Sequence, residues 1–159
     1  MIKNISMDDI RIAQKNWGDA VIRIGQDYIN GRDYKATADA AIHDLYDFDG
    51  DGVLFKPTRT SAEQPFRNTK ESAVSYFVGG GSDNDIGFAL NPWACVRFDE
   101  NQTVLLEKDF AVSMGMYYFT DSNTGTETPV EFTFGYKPCT DGSLIIFLHH
   151  SSVPYNLNK

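Results

Sequence analysis

Apolar positions recur every three to four residues from Ile10 through Ala13, Trp17, Val21 and Ile24 to Tyr28, the spacing of one helix face. Ser6 with Asp9 three positions on is a capping-box variant that starts this helix, and Asn30-Gly31 ends it. Asp33 caps a second helix with Tyr34, Ala38, Ala41, Ile42 and Leu45 on its stripe. Beyond this hairpin the period shortens. Val53 to Thr58 reads as a strand stopped by Pro57, and Thr69 to Val78 as a short helix. Strands follow at Ile86 to Leu90, Ala94 to Phe98, Ala111 to Thr120, Pro129 to Tyr136 and Leu144 to Val153. Asn123-Thr-Gly125 and Asp141-Gly142 are hairpin turns. Helices packed on one face of a strongly bent antiparallel sheet make an α+β cone whose open end suits a small-molecule pocket.

The last strand ends in polar chemistry. Side chains alternate across a strand, so Ile145, Phe147, His149 and Ser151 share one face, while Leu144, Ile146, Leu148, His150 and Ser152 share the other. If the first face lines a cavity, His149 and Ser151 enter it together.

A chain of 159 residues, 42% hydrophobic, suits one domain over residues 1–159. The net charge of −8 and the lack of a Lys/Arg cluster argue against nucleic-acid or anionic-membrane partners, which need a basic footprint. The N-terminus lacks the apolar run of a signal peptide, and no stretch approaches the roughly 20 apolar residues of a membrane span, so a cytoplasmic location is expected. Cys95 and Cys139 fit no metal-ligand spacing and are read as reduced, partly buried thiols.

Other motifs fall short of a known chemistry. Asp47-Phe-Asp-Gly-Asp-Gly52 imitates the start of a calcium loop, but the closing position is Thr58 and Pro57 obstructs the helix that should follow, so a helix-to-strand turn is expected. Gly79-Gly80-Gly81 lacks the context of a phosphate loop and reads as a flexible turn. The three histidines, His43, His149 and His150, do not make a zinc site unless the last strand breaks. Ser151 and Ser152 lack a nucleophile elbow, and Asp83 and Asp85 are expected to be solvated in a polar loop.

Leu54-Phe-Lys-Pro-Thr58, Ser75-Tyr-Phe77 followed by glycines, Asp85-Ile-Gly-Phe-Ala89 leading to Pro92-Trp93, Met114-Gly-Met-Tyr-Tyr-Phe-Thr120 and the His149-His-Ser-Ser152 run occur in that order. Together they resemble the iota-class carbonic anhydrases, which are similar to the calcium/calmodulin-dependent kinase association domain and share the nuclear-transport-factor-2-like cone. The resemblance implies reversible hydration of carbon dioxide to bicarbonate. In the metal-free branch it implies a site on Thr58, Tyr76, His149 and Ser151, with Thr58, Tyr76 and Ser151 also binding substrate. No cofactor is then expected, although other members are described as metal-dependent, which leaves zinc or manganese open. Trp93, Phe77, Phe88 and Phe147 are candidates for the apolar wall, and His149 for accepting or relaying the proton. A homodimer is also implied. The same fold serves non-catalytic oligomerisation or small-molecule binding, which is the alternative.

Overall fold

The computed structural model describes residues 3–81 and 84–158. Helix α1 (Met7–Ile29) opens on the expected box: the Asp9 amide donates to Ser6 Oγ at 3.2 Å and the Ser6 amide to Asp9 Oδ2 at 2.8 Å. Its stripe of Ile10, Trp17, Val21 and Ile24 is buried. Helix α2 (Tyr34–Leu45) starts where Asp33 accepts from the Ala36 amide at 3.1 Å and buries Ala38 and Ile42. Helix α3 (Lys70–Val78) is capped by Thr69, whose hydroxyl accepts from the Ser72 amide at 3.2 Å. The glycines after it are an ordered helix end: Gly79 and Gly80 take φ of +76° and +92°, and the Gly81 amide donates to Ser75 Oγ at 3.1 Å.

Among the described residues the sheet has six strands: β1 (Leu54–Lys56), β2 (Trp93–Phe98), β3 (Thr103–Leu106), β4 (Ala111–Asp121), β5 (Glu127–Pro138) and β6 (Leu144–Ser152). The order is β1-β6-β5-β4-β2, with β3 also pairing β4, and the sheet is not closed. Pairing is antiparallel except between β1 and β6, which run parallel, so the expected all-antiparallel sheet is corrected at that edge. Strand β3 escaped the sequence reading because only Val104 of its four residues is even half-buried, leaving no alternation to read.

Two local expectations change. Ile86 to Leu90 is not a strand: Gly87 takes φ of +86° and Phe88–Leu90 forms one 3-10 turn. In β6 the alternation breaks. Gly135 pairs with Leu148 and Tyr136 with Ile146, so Phe147 is an extra, bulged residue. Ile146, His149 and Ser151 therefore face the core, while Phe147 joins Leu54, Phe110 and Lys137 around an outer groove. Phe147 is thus removed from the apolar wall. Gly135 makes the bulge feasible, since a Cβ there would stand 2.8 Å from Phe147 Cζ.

The Asp47–Gly52 segment is a turn, as expected. The Asp51 amide donates to Asp47 Oδ2 at 3.0 Å, and Lys137 Nζ, from β5, sits 2.5 Å from Asp47 and 2.8 Å from Asp51. An ammonium stands among the carboxylates that a calcium ion would need. Both cysteines are free, Cys95 exposed and Cys139 half-buried. Among the described residues no helix is long and apolar enough to cross a membrane.

Candidate active site

The concave face of the sheet is almost wholly aromatic, and α1 lays Trp17 across it. Tyr117 and Phe119 from β4, Phe132, Phe134 and Tyr136 from β5, and His149 from β6 are all buried there, each at most 2% exposed. The His149 imidazole is sandwiched between Phe134, with centroids 3.9 Å apart and planes at 21°, and Phe55, at 4.8 Å and 14°, while Trp17 meets it edge-on. These contacts leave the ring one orientation.

Both ring nitrogens are engaged. Tyr46 Oη lies 2.7 Å from Nδ1, and Tyr117 Oη 3.2 Å from Nε2. Trp17 Nε1 donates to Tyr46 Oη at 2.9 Å. Tyr117 Oη is also hydrogen-bonded to Ser151 Oγ, which donates to the Glu131 carbonyl at 3.3 Å. Thr58 follows β1, and its hydroxyl stands close to the phenols of both Tyr76 and Tyr117. Tyr76, from α3, accepts the Arg59 amide at 3.2 Å. Three of the four residues expected at the site, Thr58, His149 and Ser151, therefore gather around one phenol, Tyr117, and the fourth, Tyr76, adjoins it through Thr58.

Electrostatics restrict what this cluster can do. Burial, with a smaller push from the neighbouring His150, holds the His149 pKa well below its usual value, so the ring is neutral at neutral pH. With no carboxylate hydrogen-bonded to it among the described residues and both nitrogens occupied, it is a poor resting place for a proton; of the two roles expected for it, relaying is compatible with this setting and accepting is opposed. Burial likewise pushes the phenols of Tyr46, Tyr76 and Tyr117 far above their ordinary range. They stay neutral and act as hydrogen-bond donors and acceptors, not as bases.

Tyr76 also forms part of the wall of a cavity of about 310 Å³, with Tyr28, Arg59, Asp85, Ile86 and Phe88. Phe88 stacks on Tyr76 at 5.4 Å and 17°, and Arg59 stands 6.0 Å above the Phe88 ring. Neither Trp93 nor Phe77 lines this cavity. Trp93 packs behind Phe88 and donates from Nε1 to its carbonyl at 2.9 Å, and Phe77 lies against Phe55 and Trp17.

Asp85 corrects the expectation of a solvated carboxylate. Its side chain is 1% exposed and receives two bonds from Arg67, at 2.5 and 2.8 Å, and one from Ser75 Oγ at 2.6 Å. An apolar surround tolerates the charge only because Arg67 supplies the opposite one. Asp83 lies outside the described residues.

The three histidines stay apart: His43 pairs with Asp49 at 2.8 Å on the surface, His150 points to solvent, and His149 is inside. Among the described residues no three His, Cys, Asp or Glu side chains gather as metal ligands, so a zinc or manganese ion would find no donor set of the usual kind.

Sequence reasoning missed Tyr117, Tyr46, Trp17 as a polar participant, and Arg67. The signal for Tyr117 was present: one of Tyr117 and Tyr118 had to face inward, and the register shared with Phe119 selects Tyr117.

Helices α1 to α3 on a curved, open sheet, with the concave face ending in buried hydroxyls and one imidazole, define an α+β protein of the nuclear-transport-factor-2-like class. A protein of that class from Streptomyces avermitilis superposes with a TM-score of 0.62 over 94% of this chain and 96% of its own, at 12% identity, a likeness of fold alone. The chain belongs to the metal-independent carbonic anhydrase family, whose profile matches residues 8–153. It is 36% identical to the metal-independent carbonic anhydrase of a Nostoc species over 155 residues, covering 95% of this chain and 75% of that one. The crystal structure of a cyanobacterial iota-carbonic anhydrase complexed with bicarbonate matches with a TM-score of 0.90 and 34% identity, over 96% of this chain and 94% of that chain.

Proposed function

We propose that this chain is a carbonic anhydrase that hydrates carbon dioxide reversibly to bicarbonate and a proton without a metal, through the hydroxyls of Thr58, Tyr76 and Ser151 beside His149. One observation carries the reading: Thr58 from the loop after β1 and His149 and Ser151 from β6 gather around Tyr117 Oη, with Tyr76 of α3 beside Thr58. The relative solved with bicarbonate binds the product of that reaction.

The water oxygen forms a bond to the carbon of carbon dioxide, and one carbonyl electron pair moves onto the distal oxygen, which becomes anionic. Tyr76 and Ser151 donate hydrogen bonds to that oxygen, and Thr58 holds the water. The water's proton leaves through the cavity bounded by Tyr76 and Arg59 to solvent buffer. No member of the cluster is charged or strongly basic, so the acceleration comes from orientation and from donors aimed at the developing charge in a dry site. The aromatic surround of Phe55, Phe88 and Phe134 keeps that site dry. Assembly as a homodimer and a cytoplasmic location belong to the same proposal, and light scattering and cell fractionation read them independently.

The test is hydration of carbon dioxide by chelator-treated protein, followed by pH drop, with elemental analysis of the same sample. Activity above the uncatalysed rate without stoichiometric metal supports the reading, and Tyr76→Phe or Ser151→Ala should then lower kcat by roughly 100-fold with the fold intact. Activity appearing only with added zinc or manganese overturns the metal-free part. Inactivity under every metal tried leaves the binding or association module.

A further inference from the structure

The buried hydrogen bonds around His149 have a direction that heavy-atom distances alone do not state, and it follows from counting hydrogens. An indole nitrogen can only donate, so Tyr46 Oη accepts from Trp17 Nε1. Tyr46 has one hydrogen of its own, and among the described residues its hydroxyl has one other partner, His149 Nδ1 at 2.7 Å. If Nδ1 carried the ring proton, it would donate to Tyr46, and the Tyr46 hydrogen would point into the aromatic core unpaired. An unsatisfied buried hydroxyl disfavours that arrangement by on the order of tenfold or more in population. Nδ1 is therefore bare, the neutral ring carries its hydrogen on Nε2, and Nε2 donates to Tyr117 Oη at 3.2 Å. Tyr117 then has its own hydrogen available for Ser151 Oγ, and Ser151 faces its hydrogen toward the Glu131 carbonyl.

We propose that Trp17 and Tyr46 are positioning residues that lock His149 in its Nε2–H tautomer and so give the chain from Trp17 through Tyr46, His149 and Tyr117 to Ser151 a single direction. The consequence lies at Ser151. Its oxygen accepts the Tyr117 hydrogen, so the serine's own hydrogen, held at rest only by the long 3.3 Å bond to the Glu131 carbonyl, can turn to an anionic substrate oxygen as a donor. With the opposite tautomer, Tyr117 would donate to Nε2, Ser151 would have to donate to Tyr117, and the substrate would meet a lone pair where it needs a hydrogen. Trp17 and Tyr46 are joined to Ser151 through His149 and Tyr117, so both act through His149. The functional half of this inference rests on the carbonic anhydrase reading; the tautomer itself does not.

The experiment is nitrogen-15 NMR of histidine-labelled protein, paired with hydration kinetics of wild type and Tyr46→Phe. Wild-type His149 is expected to show a protonated Nε2 and an unprotonated, hydrogen-bonded Nδ1 at neutral pH. In Tyr46→Phe the Nδ1 acceptor loses its donor; the His149 resonances should shift toward a mixture of tautomers, and kcat should fall about tenfold with KM nearly unchanged. A protonated Nδ1 in the wild type overturns the inference, whatever the kinetics. So does a Tyr46→Phe protein that keeps the wild-type tautomer, even if its activity changes. If Tyr46→Phe does not fold, the wild-type spectrum alone decides the tautomer. Absence of hydration activity in the wild type would fail the carbonic anhydrase reading while leaving the NMR result to judge the lock.

Discussion

Replacing Asp85 by Asn removes one charge from a pair that water scarcely reaches. The Arg67 and Asp85 side chains are 3% and 1% exposed, and the guanidinium gives Nη1 and Nη2 to the two carboxylate oxygens at 2.5 and 2.8 Å. Nη1 has a second acceptor in the Ser72 carbonyl at 3.3 Å, whereas Arg67 Nε has no partner among the described residues. An Asn of the same shape leaves a buried cation facing a neutral amide, and breaking a buried pair from one side costs about 3–5 kcal/mol. For a chain of this length each kcal/mol shifts Tm by roughly 2–4 °C, so Asp85→Asn should melt roughly 6–20 °C below wild type. Urea denaturation measures the same loss isothermally. The double variant Arg67→Met with Asp85→Leu, which removes both charges, should recover most of the stability, because desolvating two ions offsets much of their attraction. Activity should follow Asp85→Asn downward as well, since Ser75 binds Asp85 and directly precedes Tyr76, and Asp85 itself forms part of the cavity wall. An Asp85→Asn protein within 1 kcal/mol of wild type would refute the argument, because it would mean the guanidinium finds water or another anion at no cost.

Acid should weaken the fold through His149. Its folded pKa lies below its unfolded value of 6.5, so its contribution is complete above that value; as pH falls through it the unfolded chain takes a proton that the native ring refuses. Stability should decline at up to about 1.4 kcal/mol per pH unit until the folded pKa is reached, and urea melts of wild type against His149→Gln should show the slope only in wild type. Arg59→Gln should raise the half-saturating bicarbonate concentration several-fold and leave the carbon dioxide KM nearly unchanged, since the guanidinium at the cavity attracts only the anion. Equal effects on both substrates in steady-state assays would contradict that role. Gly25→Ala should cost about 1–3 kcal/mol in a thermal melt, because a Cβ on α1 would stand 2.7 Å from the Ala89 carbonyl oxygen of the 3-10 turn.

Much of this protein is legible from neighbours along the chain. The caps at Ser6 and Asp33, the stripe from Ile10 to Ile24, the glycine turns at Gly125 and Gly142 and the shared face of His149 and Ser151 depend on interactions spanning a few residues, which the sequence states directly. The motif resemblance added Thr58 and Tyr76, which no period could have selected. What remained was settled by partners distant in sequence. The bulge at Phe147 exists because β6 pairs with β5 across Gly135, and it carries Phe147 out of the core without disturbing His149 two residues later. Asp85 is buried because Arg67, 18 residues away, reaches it. Tyr46, at the end of α2, becomes a site residue only when Trp17 and His149 are folded onto its hydroxyl from 29 and 103 residues away. Local hydrogen bonding and turn geometry are written in order along the chain. Register, bulges and the pairing of buried polar groups are not, because their energies appear only when remote segments exclude water together.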